Sequence, residues 1–365
     1  MKKAAGQIRE MEAPVVRSKL LTWYDAHQRD LPWRGTCDPY RVWVSEIMLQ
    51  QTRVAAVIEH YHAFLRRFPT VEKLAAARES SVLAAWSGLG YYRRARNLHA
   101  AAKVVVSELG GEFPTAAAKW RELPGIGRYT AAAIASIAFD EPVALVDGNV
   151  ERVLRRVLGR TLSGETVWQI AESLLDRKRP GDFNQAMMEL GATVCTPRSP
   201  SCLMCPVIDL CATRGELAAS PKAGRQQKRE IHVALDCRPV DHNGGSVFLA
   251  QRPRNARLMP GMWELPEMPR RKLNGQPAFT LRHSITVTDY TVQVWREHVW
   301  REHVWQNRVT GQPAGKWISL RRLRQLAMTG LTRKILRQAG LLSSQASEPD
   351  VESSKIKDRP ARSDM

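Results

Sequence analysis

The chain has 365 residues, which suggests two domains or three, and its 44% hydrophobic content suffices for real cores. Lys+Arg 55 against Asp+Glu 36 leaves a net charge of +19, which favours a polyanionic partner such as nucleic acid. No apolar run approaches the roughly 18 residues that a helical membrane span needs, and the polar start predicts no secretory signal. Four of six cysteines clustered within 195–211 argue against a disulfide framework, so a reducing cytoplasm is the expected compartment.

Residues 1–17 are expected to be flexible. Helical apolar spacing marks 18–29, and Pro32 makes a loop of Leu31-Pro32-Trp33-Arg34. Asp38-Pro39 reads as a helix start, with Pro tolerated at the first position. This helix runs to about Gln51 and sets Glu46 among Val42, Trp43, Ile47 and Met48, an unusual setting for a carboxylate. Further helices are expected at 54–68, 70–77, 80–87 and 93–109. Between the last two, Gly88-Leu89-Gly90-Tyr91-Tyr92 is a turn displaying aromatics. Leu123-Pro124-Gly125-Ile126-Gly127-Arg128-Tyr129 reads as a tight hairpin between helices, because glycine reaches backbone angles that cost other residues. A helix starting there offers free N–H groups suited to phosphate. Asp147 and Asn149 follow in Val146-Asp147-Gly148-Asn149-Val150, then helices at 150–158, 167–175 and 182–194. No strand is expected before residue 230, so the first domain is all-α.

Cys195-x6-Cys202-x2-Cys205-x5-Cys211 comes next. Four such thiolates can hold zinc, though usually as two close pairs, or an iron–sulfur cluster. Cys37 and Cys237 stand apart as ordinary thiols. Residues 214–230 read as a basic linker. Strand-like alternation then begins at Ile231–Leu235 and Val247–Gln251, joined by a turn at 241–245. Another strand is expected at 285–294 and a short one at 316–318, with helices near 319–326 and 331–339. The second domain, 231–341, is therefore α+β. Residues 342–365 have a disordered composition. The tandem Arg296-Glu297-His298-Val299-Trp300 and Arg301-Glu302-His303-Val304-Trp305 is too short for a solenoid unit.

The pairing of Leu-Pro-Gly-x-Gly with a downstream Val-Asp-x-x-Val resembles the helix-hairpin-helix DNA glycosylases. The cysteine spacing resembles the [4Fe–4S] loop of their endonuclease III-like members. Lyases of that superfamily carry a Schiff-base lysine two residues after the last hairpin glycine; here Tyr129 stands there. Together with Trp33-Arg34, Ser45-Glu46, Leu49-Gln50-Gln51-Thr52 and the strand-forming extra domain, the chain is similar to the A/G-specific adenine glycosylases, the MutY family.

That resemblance implies an all-α helix-hairpin-helix glycosylase domain (18–213) with a [4Fe–4S] loop on Cys195, Cys202, Cys205 and Cys211. A smaller α+β Nudix-like domain follows, without the G-x5-E…R-E-x-x-E-E run that would hold metal. The implied activity is monofunctional removal of adenine opposite 8-oxoguanine or guanine in duplex DNA, by a monomer. Glycoside chemistry needs an acid for the leaving group and an anion near the developing cation. Glu46, its pKa raised by desolvation, would protonate adenine; Asp147 would stabilise the sugar cation. An ordinary reading of Asp147 is a helix cap, although Asn149 is better placed to cap. Tyr129 and Asn149 would serve the sugar and the attacking water. Gln51 and Tyr91 would fill the gap left by the flipped base, with Leu49 also on the DNA and Gly125, Gly127 and Arg128 on phosphate. Trp33, Arg34 and Gln185 would line the adenine pocket, although Trp33 could equally be core. In the second domain, a loop of His283, Ser284, Ile285 and Thr286 would read 8-oxoguanine, with Val287 departing from the family's histidine. The competing readings are a thymine or mismatch glycosylase on the same scaffold and a non-catalytic iron–sulfur DNA-binding protein.

Overall fold

The computed structural model describes residues 13–162, 164–215, 227–238, 245–256, 258–268, 275–285, 288–296 and 315–342. Two compact units emerge. One holds the residues up to Ala76 and from Asn97 through the cysteine loop; the other joins Ala77–Arg96 to the C-terminal strands.

The first unit is helical: α1 (Ala13–His27), α2 (Pro39–Leu49), α3 (Val54–Arg67), α4 (Val71–Ala75), most of α6 (Arg93–Glu108), α7 (Ala117–Trp120), α8 (Arg128–Phe139), α9 (Gly148–Leu158), α10 (Glu165–Leu174) and α11 (Pro180–Thr193). Its core gathers Leu20, Tyr24, Ala132, Ala133, Val153, Leu154, Phe183 and Leu190. The Ala-rich α8 sits inside it, packed on α2, α9's neighbour α11, and α7. Small side chains permit that approach: a Cβ on Gly181 of α11 would lie 2.5 Å from the Ser136 carbonyl of α8. α1 begins by Ala13, earlier than the expected 18, because Ala13 and Val16 bury into the same core.

The second unit contributes α5 (Glu79–Ala85) and two four-stranded sheets. In the first, β1 (Gln227–Ala234) pairs antiparallel with β5 (Glu267–Met268) and parallel with β7 (Thr288–Trp295). β6 (Phe279–Ile285) closes its far edge against β7. In the second, β3 (Ser246–Gln251) pairs with β2 (Cys237–Arg238), β4 (Trp263–Glu264) and β8 (Gly315–Ser319). α12 (Gly330–Gln338) packs Ile335 and Leu336 into the core with Val247, Leu249, Val292 and Val294.

Three expectations change. The basic linker is shorter than 214–230, since Gln227–Glu230 already belong to β1, paired with β7. The single strand at 285–294 is instead the hairpin arm pair β6 and β7, with Ile285 opposite Thr288. In β6 only Leu281 is buried, so its polar residues carry too little alternation to announce a strand. The helix at 319–326 is a 3-10 segment, Leu320–Gln325. The 241–244 turn, Thr286 and Val287, the repeat from Glu297 and the tail beyond Leu342 lie outside the described residues.

Candidate active site

Asp38 fixes the phase of α2 by accepting from the backbone N–H groups of Tyr40 (2.9 Å) and Arg41 (3.2 Å). That phase buries Val42, Trp43, Ile47 and Met48, and Glu46 with them at 5% exposure. The hairpin brings Tyr129, on the first turn of α8, against this carboxyl. The phenol donates to Glu46 Oε2 at 2.8 Å and lies 3.3 Å from Met188 Sδ of α11. Burial raises the Glu46 pKa; the Tyr129 hydrogen bond lowers it in part, and the neighbouring Asp147 carboxylate raises it again, to about 7. Burial and the two nearby carboxylates push the Tyr129 phenol well above its ordinary range.

Asp147 ends a stretch pinned from two helices. Leu145 N–H donates to Asn184 Oδ1 and Ala144 N–H to Glu172 Oε2. Asp147, not Asn149, caps α9: its Oδ1 accepts from the N–H groups of Asn149 (2.9 Å) and Val150 (2.7 Å). The helix starts at Gly148, two residues earlier than expected, so the capping position falls on the aspartate. Asn149 donates through Nδ2 to Asp147 Oδ2 at 3.0 Å. Arg152, one turn on, donates to Asn149 Oδ1 (2.9 Å), the Gly191 carbonyl (2.7 Å) and the Cys195 carbonyl (2.8 Å). A hydrogen-bonded chain therefore runs from Asp147 to the first cysteine. Sequence reading missed Arg152, which looks like any cation on an amphipathic helix.

At the hairpin, Gly125 has φ 76 and its Cα faces Asn97 so closely that a Cβ would lie 2.3 Å from Nδ2. Gly127 caps α8 without a side chain, leaving the first amides of that helix for an anion. Arg128 is not free: it pairs with Glu165 (2.6 and 3.0 Å) and stacks 3.9 Å over Trp168.

Cys195, Cys202, Cys205 and Cys211, all half-buried, line one cavity with Arg156, Val194, Val207 and Ile208. Arg156, itself buried, ties the loop down by donating to the Thr196 and Pro197 carbonyls and to Cys195 Sγ at 3.4 Å. Burial, above all, and the three other cysteines raise the Cys205 thiol to about 11, so a thiolate there calls for positive charge close by. Among the described residues no three His, Cys, Asp or Glu side chains close on a single point. Iron in a cluster held by the four cysteines would supply the positive charge.

Residues 195–211 match the iron–sulfur binding domain of endonuclease III, and residues 44–179 match the HhH-GPD superfamily of base excision DNA repair proteins. A solved thermostable thymine-DNA glycosylase is 32% identical, with a TM-score of 0.53, over 56% of this chain and 97% of its own. The chain belongs to the HhH-GPD superfamily. Adenine DNA glycosylase of Mus musculus is 43% identical over 310 residues, 69% of this chain and 60% of that protein. The Arabidopsis thaliana adenine DNA glycosylase is 40% identical over 336 residues, 79% of this chain and 52% of that protein. The chain thus spans about three fifths of the mouse relative's length.

Within this HhH-GPD fold the other expected residues divide. Arg34 is 2.5 Å from Glu189, which is buried on α11 and also takes Arg29 at 2.7 Å. Burial alone would raise Glu189, but the two guanidiniums win and hold it down at about 2. Gln185, Met188 and Glu189 share one face of α11, the face that meets Tyr129 and Arg34. Trp33 is 7% exposed and packs edge-on against Tyr61, a core setting. Leu49 ends α2 half-buried; Gln51 follows it exposed, at φ 56. Tyr91, in the second unit, is exposed at φ 47. His283, Ser284 and Ile285 form no loop: they sit in β6, paired with Tyr290, Asp289 and Thr288. The Ser284 hydroxyl donates to Asp289 at 2.5 Å. Desolvation, chiefly, and Lys334 lower the His283 pKa.

Proposed function

We propose that the protein is a monofunctional DNA N-glycosylase of base excision repair, removing adenine mispaired with 8-oxoguanine or guanine. One observation carries the reading: a buried carboxylic acid, Glu46, hydrogen-bonded to a tyrosine where lyases of the fold carry lysine, beside a second carboxylate, Asp147. Glu46 at about pKa 7 keeps its proton near neutrality and donates it to the departing adenine. Asp147 stabilises the sugar cation that remains and can bond transiently to its anomeric carbon. Asn149 holds Asp147 and the attacking water. Tyr129 offers no amine, so the strand stays intact until alkali is added.

The adenine must leave the stack to reach Glu46. Gln51 and Tyr91 fill its place, and Leu49, two residues before Gln51 at the end of α2, also contacts the DNA. Gln185 and Arg34 bound the adenine pocket, while Trp33 stays packed in the core against Tyr61. The bare amides at Gly127, with Gly125 and Arg128 in the hairpin, take phosphate once DNA competes with Glu165 for Arg128. The [4Fe–4S] cluster on the four cysteines orders the loop that presents Arg198. The second unit is a Nudix-like module whose β6–β7 hairpin, with His283, Ser284, Ile285 and Thr286, reads 8-oxoguanine. The chain acts as a monomer on duplex DNA, in the cytoplasm. No helix among the described residues is long and apolar enough to cross a membrane.

The thymine-DNA glycosylase relative favours a second reading, thymine removal from T:G. It matches only 56% of this chain. Labelled duplexes bearing A:8-oxoG, A:G, T:G or U:G, incubated with and without alkali, separate the two. Alkali-dependent cleavage at adenine alone is expected; cleavage at T:G with A:8-oxoG untouched overturns the proposal.

A further inference from the structure

In the second unit, the turn before α6 places an exposed ring on a strained backbone. Gly88 (φ 115), Gly90 (φ 71) and Tyr91 (φ 47) are all left-handed. Glycines take that region freely, but a tyrosine there persists only where its surroundings over-determine it. The surroundings are specific. Trp86 Nε1 donates to the Gly90 carbonyl at 3.2 Å. The hydroxyls of Ser87 and Tyr92 both donate to the Met328 carbonyl, at 3.1 and 2.9 Å, which ties the turn to the rest of its unit. Arg94 does the remainder. Its backbone N–H donates to the Tyr91 carbonyl at 2.8 Å. Its Nη2 donates to the Leu89 and Gly90 carbonyls at 3.3 and 3.4 Å. Its guanidinium stands 5.5 Å from the ring centroids of both Trp86 and Tyr91. The same plane therefore grips the turn's backbone and faces the ring that leaves it.

We infer that Arg94 is a positioning residue that holds Tyr91 poised to enter the space vacated by a flipped base. The inference rests on the wedge role proposed for Tyr91 above. A ring already fixed in its projecting pose loses less freedom on insertion, so extrusion of the base is faster. Lysine cannot replace the arginine, because its ammonium lacks the plane that meets two aromatic rings while Nη2 serves both carbonyls.

The test uses the full chain with its cluster, as Arg94→Lys, Arg94→Gln, Tyr91→Ala and the double variants with Tyr91→Ala. Extrusion is read as the fluorescence rise of 2-aminopurine standing opposite 8-oxoguanine; base release is read as single-turnover cleavage of A:8-oxoG. Arg94→Lys is expected to slow both about tenfold, with an unchanged thermal midpoint, and to change neither more than about twofold in the Tyr91→Ala background. An equal cost in both backgrounds overturns the inference, since Arg94 would then act on DNA directly. No cost in the wild-type background also overturns it. If Arg94→Lys unfolds, the same comparison is made with Arg94→Gln, which keeps a donor for the turn carbonyls. A protein that extrudes 2-aminopurine yet cleaves no duplex contradicts the proposed activity and leaves the Arg94 comparison readable.

Discussion

The two regions assigned to base chemistry and lesion reading are built differently. Glu46 and Tyr129 sit on long helices whose other faces are core, and their contact is complete within the protein. His283, Ser284 and Ile285 lie on the edge strand of a sheet, where only Leu281 of β6 is buried. Catalysis needs an acid whose proton affinity is set before DNA arrives, and burial provides that. Under the proposed assignment, the lesion-reading side chains gain most of their contacts only in the complex, although the Ser284 hydroxyl already donates to Asp289.

Breaking the rigid region should have the largest effect. Asp147→Asn keeps a capping side chain for α9, so folding and duplex binding should persist. Base release should fall at least ~10²-fold, the scale of removing one essential electrostatic group. Single-turnover cleavage beside an affinity measurement checks this; normal cleavage would leave Asp147 only its capping role.

Tyr129→Phe should act more moderately, about tenfold on rate, and should move a pKa. The phenol's hydrogen bond lowers Glu46, so its loss raises the acid further. The alkaline fall in rate should therefore begin at higher pH. A fall beginning at lower pH would refute the assigned sign.

The edge strand should yield the smallest change. Thr286→Ala should lower the preference for A:8-oxoG over A:G by about threefold to tenfold, one lesion-specific hydrogen bond at most. Val287→His should sharpen it. Parallel single-turnover assays on the two duplexes decide, and an unchanged ratio in both variants moves lesion reading away from this hairpin.

The contrast also explains what was legible in the sequence. Glu46 announced itself because a carboxylate among Val42, Trp43, Ile47 and Met48 breaks the helical pattern. The cysteine spacing and the Pro-Gly hairpin are local signals of the same kind. Long-range pairings left no such mark: Glu189 with Arg29 and Arg34, Arg128 with Glu165, and Arg152 with the Cys195 carbonyl. The grouping of Ala77–Arg96 with the C-terminal strands was equally invisible. It has a practical consequence. A fragment ending near Thr213 would strip Ser87 and Tyr92 of the Met328 carbonyl, so point variants test the second unit more cleanly than truncation.

Glu46 also links chemistry to stability. Its folded pKa lies above the ordinary carboxylate value, so its contribution is full at low pH and is lost as pH rises through about 7. Glu46→Gln should therefore melt higher than wild type above that pH, even as it disables the enzyme.

The most direct measurement is the pH–rate profile of single-turnover adenine release from A:8-oxoG, for wild type and Glu46→Gln together. An acid that must hold its proton gives a wild-type rate that is level below about pH 7. It then falls about tenfold per pH unit above. The glutamine variant should be at least ~10²-fold slower and lack that limb. A glutamine variant that cleaves at the wild-type rate, or that keeps the same alkaline fall, would contradict the assignment of Glu46 as the acid.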